Sequence, residues 1–165
     1  MNCVRKLSGI GIVSWGVVCC AEASPEATVV AAKGGLEIHH AYAPASPAPD
    51  IASLYFTVIN AGQLSDTLTD VRTGVGTAML HTMVMENGLS KMQHVPAIAI
   101  PAGDTLRLVP GSYHVMLSRL QQPLQLGDTV TVTLEFARAG DLTFTASVLT
   151  YTDVVERLEP EQRRP

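Results

Sequence analysis

His81, Met92, His114 and Met116 are the residues of this chain best equipped for chemistry. They follow one another as His, ten residues, Met, twenty-one residues, then His-x-Met. Two imidazole nitrogens and two thioether sulfurs, with no thiolate among them, form a soft donor set that suits monovalent copper better than the other common biological metals. Zinc favours His with Cys or carboxylate, and a blue-copper centre needs a Cys thiolate beside two His. A His-x-Met pair alone is weak; four donors at fixed distances are far harder to reach by coincidence.

The cysteines sharpen this reading. Cys3, Cys19 and Cys20 are the only three, and all fall in the first twenty residues. Arg5 and Lys6 precede an apolar run of fourteen residues from Leu7 to Cys20, and Ala21-Glu22-Ala23 supplies a small-x-small cleavage pattern. Residues 1–23 therefore read as a cleaved export signal, too short to span a bilayer comfortably. Val17-Val18-Cys19-Cys20 loosely resembles a lipidation box, but Cys19 stands where a small residue is expected before Cys20. Soluble export is the expectation here, with lipid anchoring through Cys20 as the alternative. The mature chain then lacks thiols, and in an oxidising compartment such as the periplasm His and Met are the metal ligands that do not end as disulfides.

These donors must be positioned by a framework. With 165 residues, 47% of them hydrophobic and 16% charged, the chain has room for one domain with a proper core. A net charge of −4 points away from nucleic acid and anionic membranes. Short runs rich in Val, Ile, Thr, Tyr and Phe predict strands at 36–42, 52–60, 67–73, 77–85, 95–100, 105–109, 114–120, 129–137 and 142–148. Turn signals such as Asn87-Gly88, Pro110-Gly111 and Gly127-Asp128 separate them. No ten-residue window shows helical periodicity, so the fold class is all-β, an antiparallel sandwich or barrel. The expected organisation is a flexible lead-in at 24–34, a single domain at 35–150 and a polar, solvated tail at 151–165. No further run is long and apolar enough for a transmembrane segment.

Strand alternation puts Met79, His81, Met83 and Met85 on one face of the 77–85 strand, and His114 with Met116 on one face of another. Met79 and Met85 read as core packing, and Met83 as the edge of the site. His94 reads as a neighbour of Met92, and His39 and His40 as surface or edge residues with some capacity to capture a second copper. No Gly-x-Ser-x-Gly elbow, paired carboxylates or phosphate-binding glycine loop is present, so the chain does not read as an enzyme.

The residues from Tyr55 to Leu149 resemble the periplasmic copper chaperones of the PCu(A)C type, whose signature is His-x10-Met-x21-His-x-Met. His81, Met92, His114 and Met116 fill all four positions with both gaps intact. Agreeing text includes Ala52-Ser53-Leu54-Tyr55-Phe56, Ile100-Pro101-Ala102-Gly103, Leu108-Val109-Pro110-Gly111 and Gly127-Asp128. Ser112 departs from the family's Gly-Gly, and the strand at 37–42 lacks its frequent Trp. The resemblance implies a cupredoxin-like β-sandwich, monomeric, that binds one Cu(I) and passes it on. The implied acceptor is a respiratory cytochrome oxidase subunit or its assembly factor. Sequestration of periplasmic copper for storage or resistance is the second reading, and a metal-free sandwich with packed Met and His the third.

Overall fold

The computed structural model describes residues 29–46 and 48–158. Eleven strands form, at Val29–Lys33 (β1), Leu36–Pro44 (β2), Ile51–Asn60 (β3), Asp66–Thr73 (β4), Thr77–Glu86 (β5) and Leu89–His94 (β6). The others are Ile98–Ile100 (β7), Thr105–Leu108 (β8), His114–Ser118 (β9), Thr129–Phe136 (β10) and Gly140–Leu149 (β11), and one helix follows at Tyr151–Leu158 (α1).

The period-two pattern of the sequence decides which faces are buried. In β10 Val130, Val132, Leu134 and Phe136 turn inward, and opposite them in β11 stand Ala146, Phe144, Leu142 and Gly140. Strand β3 departs from this pattern, with Leu54, Tyr55, Phe56, Thr57 and Val58 all buried in succession. The reason is that β3 serves two ladders. Its Ile51–Leu54 half pairs with β9, while its Phe56–Ile59 half pairs with β8, and β2 runs along its other edge.

Hydrogen bonding runs along the path β6-β5-β9-β3-β2-β11-β10-β4-β7, with β1 added on β2 and β8 on β3. β4 and β5, well separated on this path, pack against each other, and residues from both join one buried cluster that includes Leu68, Val71, Leu80, Val115 and Leu117. Two layers thus enclose one core, the cupredoxin-like β-sandwich. The pairing is antiparallel except between β11 and β2, where Ser147, Val148 and Leu149 run parallel to Tyr42, Ala43 and Pro44. A register shift in β2 between His39 and Tyr42, with His40 at φ 54°, accompanies this change of neighbour.

Three stretches differ from their sequence-based reading. Within the lead-in, Val29–Lys33 is a strand, antiparallel to β2. Residues 89–94, outside the strands expected from sequence, pair with β5 across the Asn87-Gly88 turn, whose φ angles of 53° and 78° are those of a tight hairpin. The start of the polar tail is helical. Thr150 caps the helix by accepting from the Asp153 amide at 3.1 Å and donating its hydroxyl to the Asp153 carboxylate at 2.7 Å. Val154 and Leu158, one turn apart, are buried against Tyr55, so α1 is a packed element. The export signal expected at 1–23 and the tail beyond Leu158 lie outside the described residues.

Buried polar groups tie the far end of the sandwich. The Asp66 carboxylate accepts from the amides of Thr67 (2.8 Å), Arg138 (2.9 Å) and Ala139 (2.9 Å), fastening the β10–β11 loop to β4. Asn60 donates to the carbonyls of Leu64 and Ile100, both at 3.0 Å, and accepts from Gly62.

Candidate metal centre

The site is built on three adjacent strands. Across β5 and β9, His81 stands opposite His114 and Met79 opposite Met116. Across β5 and β6, His81 stands opposite His94 and Met83 opposite Met92. Directly opposed residues share a face. A row of three histidines, His94–His81–His114, is therefore flanked by Met83 with Met92 on one side and by Met79 with Met116 on the other. Met85 lies farther out, opposite Ser90. Every methionine of the chain apart from Met1 stands on this face. Beneath it Leu80, Val115 and Leu117 are buried in the core and form its floor.

Backbone carbonyls set the tautomers. Nδ1 of His114 lies 3.0 Å from the Ser112 carbonyl and Nδ1 of His94 lies 3.2 Å from the Leu80 carbonyl. A carbonyl only accepts, so each Nδ1 carries the proton and each Nε2 keeps a lone pair for a metal. His81 differs: its Nδ1 is buried and has no hydrogen-bond partner among the described residues. Leaving such a group unsatisfied costs about 1–3 kcal/mol, and a bound cation at a lone pair would remove that cost. The His81 ring is 6.0 Å from that of His114, inclined by 26°, and 5.7 Å from that of His94, inclined by 69°.

The electrostatics disfavour a charge on His81. Burial lowers the pKa of His81 below its ordinary 6.5, the neighbouring His114 and His94 lower it further, and the Met79 backbone acts the other way. Neutral imidazole is the form that binds metal. Among the described residues no three His, Cys, Asp or Glu side chains are placed to hold a metal ion. The other donors on this face are thioether sulfurs, which favour soft monovalent cations over zinc.

Of the residues singled out from the sequence, His81 and His114 come face to face, and Met116 stands one row from them on the strand of His114. Met92 is on the same face but at the opposite corner from Met116, two strands away, next to Met83 and His94. Met79 and Met85 are not core residues, being 42% and 72% exposed. Alternation had grouped them with His81; only the structure shows that their face is the uncovered one. His39, read as a surface or edge residue, is buried and its Nε2 sits 3.0 Å from a Glu37 carboxylate oxygen. His40 has its pKa lowered, by burial first and by His39 and Arg107 in addition. Both belong to β2, away from the His/Met face.

Comparison with known proteins gives a family and a fold. The sequence profile of the LpqE-like family, described as a lipoprotein family, matches residues 36–148. A Leifsonia xyli subsp. xyli protein described as a lipoprotein is 46% identical over 59 residues, a match that spans 35% of this chain and 36% of that one. The chain thus aligns with about a third of the length of that relative. Among solved structures, the copper-bound PCuAC domain from PmoF2 superposes with a TM-score of 0.61 at 26% identity, covering 72% of this chain and 96% of that domain. The solution structure of CuI-DR1885 from Deinococcus radiodurans does so with a TM-score of 0.56 at 30% identity, covering 80% and 86%.

Proposed function

Because the chain belongs to the LpqE-like family and shares its fold with copper-bound PCuAC domains, we propose that it is an exported copper chaperone. It binds one Cu(I) through His81, Met92, His114 and Met116 and delivers it to the copper site of a respiratory cytochrome c oxidase, directly or through an assembly factor. It is a carrier and not an enzyme. The observation that carries this reading is the His81–His114 pair, set among thioethers on an open sheet face and supported by a buried apolar floor.

The chemistry of transfer follows from the ligands. Neutral sulfur and nitrogen donors hold Cu(I) less tenaciously than a thiolate cage, so movement to a Cys-containing acceptor is downhill. The exposed Met79 and Met92 leave the ion's surroundings open to a partner. In competition with a Cu(I) chelator, a His114→Ala, Met116→Ala double variant should lose roughly 100-fold in affinity, about 2.8 kcal/mol. Parent-like affinity in that variant would sink the assignment.

Storage or resistance is the second reading, favoured by a supply of thioethers larger than one ion needs. Growth separates the two. Loss of a chaperone lowers oxidase activity when copper is scarce, whereas loss of a sequestering protein does harm only when copper is abundant. The lipoprotein descriptions of the relatives also favour lipid anchoring through Cys20 over soluble export to the periplasm. Intact mass of the membrane-extracted protein should then show an acylated Cys20, and a Cys20→Ser change should release the chain from the membrane.

A further inference from the structure

The donors on the metal face are arranged twice over. On one side of the face, His81 and His114 stand opposite each other with Met79 opposite Met116 in the adjoining row. On the other, His81 and His94 stand opposite each other with Met83 opposite Met92. Each half is a rectangle of two histidines and two methionines, and the halves meet at His81. Directly opposed Cβ atoms in such a ladder are about 5 Å apart and diagonal neighbours about 7–8 Å, close enough for His and Met to converge above each rectangle. The two outer histidines are also prepared in the same way, each with Nδ1 committed to a backbone carbonyl and Nε2 left as a lone pair.

One Cu(I) takes at most four of these donors. Met83 and His94 are not needed by the four-residue set, and the fold does not need them either. His94 is exposed, Met83 is half-buried, and β6 contributes no buried residue. Met92 and Met116, which that set assigns to one ion, stand in different halves.

We infer that the face takes two monovalent soft cations, one in each half, the second held by Met83, Met92 and His94 on the β5–β6 hairpin. The inference rests on reading this face as a copper site and deepens that reading: a lone ion takes Met92 with His81, His114 and Met116, and when a second ion arrives Met92 passes to it and Met79, opposite Met116, takes its place on the first. His81 has one lone pair to give and serves one ion at a time, so the half lacking it is three-coordinate and the weaker. The half containing His114, which is buried, fills first. Two adjoining positions give an arriving ion a place on the exposed hairpin before or after it occupies the buried end.

The test uses the full chain with Cys3→Ser, Cys19→Ser and Cys20→Ser, so that thiols do not compete, loaded anaerobically with Cu(I) or with Ag(I) and read by native mass spectrometry. The expected result is two equivalents for the parent. A Met83→Leu, His94→Gln variant should retain one, and a Met79→Leu, Met116→Leu variant should also retain one. Methyl NMR should show Met116 moving with the first equivalent and Met83 with the second. A parent that saturates at one equivalent, with Met83→Leu, His94→Gln unchanged from it, overturns the two-ion inference and leaves the single copper site standing. Two equivalents in the Met83→Leu, His94→Gln variant also overturn it, since the second ion then sits elsewhere. No retained metal in a folded parent overturns both readings.

Discussion

His81 and His114 lie directly opposite each other on neighbouring strands, their rings 6.0 Å apart and inclined by only 26°. Two imidazolium ions cannot share that spacing cheaply, and burial adds to the cost of charging His81. His81 is therefore held toward its neutral form, in which its ring has a lone pair to offer.

The pH dependence follows in sign. The pKa of His81 is lowered in the folded chain, so on acidification the unfolded chain takes up its proton first, from its ordinary 6.5 downward. Stability of the metal-free protein is then flat with respect to this group above about pH 6.5 and is lost as pH falls from there through the lowered value. His40, lowered as well, acts in the same direction. Urea midpoints at pH 7.5 and 5.5 should show a drop for the parent and a smaller one for His81→Gln. Cu(I) affinity should weaken over the same interval because protonation competes with the metal.

Gly76 tests the spacing between the strands of the site. A Cβ at this position would come within 2.6 Å of the Ser118 carbonyl, where the end of β9 meets β5 at the Thr77–Ser118 pair. Gly76→Ala must push the two strands apart two residues from Met116. We expect a stability loss of about 1–3 kcal/mol and a several-fold weaker hold on Cu(I), read by chelator competition alongside amide shifts at Ser118.

Asp66 provides the complementary case, stability without metal. Asp66→Ala leaves three amides, those of Thr67, Arg138 and Ala139, without their acceptor. The expected cost is about 3 kcal/mol, seen as a lower urea midpoint, with the Cu(I) stoichiometry unchanged from the parent.

The helix gives a graded pair. Thr150→Ala removes the cap and should cost about 1 kcal/mol. Val154→Ala empties part of the contact between α1 and Tyr55 and should cost about 2 kcal/mol. If both midpoints equal the parent's, α1 contributes nothing to the fold in solution.

The strands with one wet face were legible from the chain alone, because apolar and polar residues alternate throughout β10 and in β11 as far as Val148. The same alternation grouped Met79, His81, Met83 and Met85. It could not reveal that this group faces outward, because methionine is as common in cores as at metals. β6 carries no sequence signal of its own, because Leu89–His94 is exposed throughout and has no apolar stripe; it is held by pairing with β5. In α1 two buried side chains in eight residues make too short a pattern, although the Thr150-x-x-Asp153 cap was available as a signal. His39 shares a face with Glu37, its neighbour two residues back, and its burial beside the β2 bulge at His40 depends on long-range packing that no local pattern encodes. The His81–His114 opposition depends on long-range register and no local pattern encodes it.

The double membership of β3 has a dynamic consequence. Among the described residues its Ile51–Leu54 half is the one stretch of strand that joins β9, and through β9 the strands β5 and β6, to the rest of the hydrogen-bonded path. The other half, Phe56–Ile59, is locked between β2 and β8. Amide exchange should therefore divide this one strand in two, with slow protons from Phe56 onward and faster ones before it. Strands β5, β6 and β9 then form a flap hinged near Tyr55, whose inner face, with Leu80, Val115 and Leu117, closes on the common core. A cation bridging β5 and β9 would stitch that flap shut, so loading and release would be visible as a change in how often one half of a single strand opens.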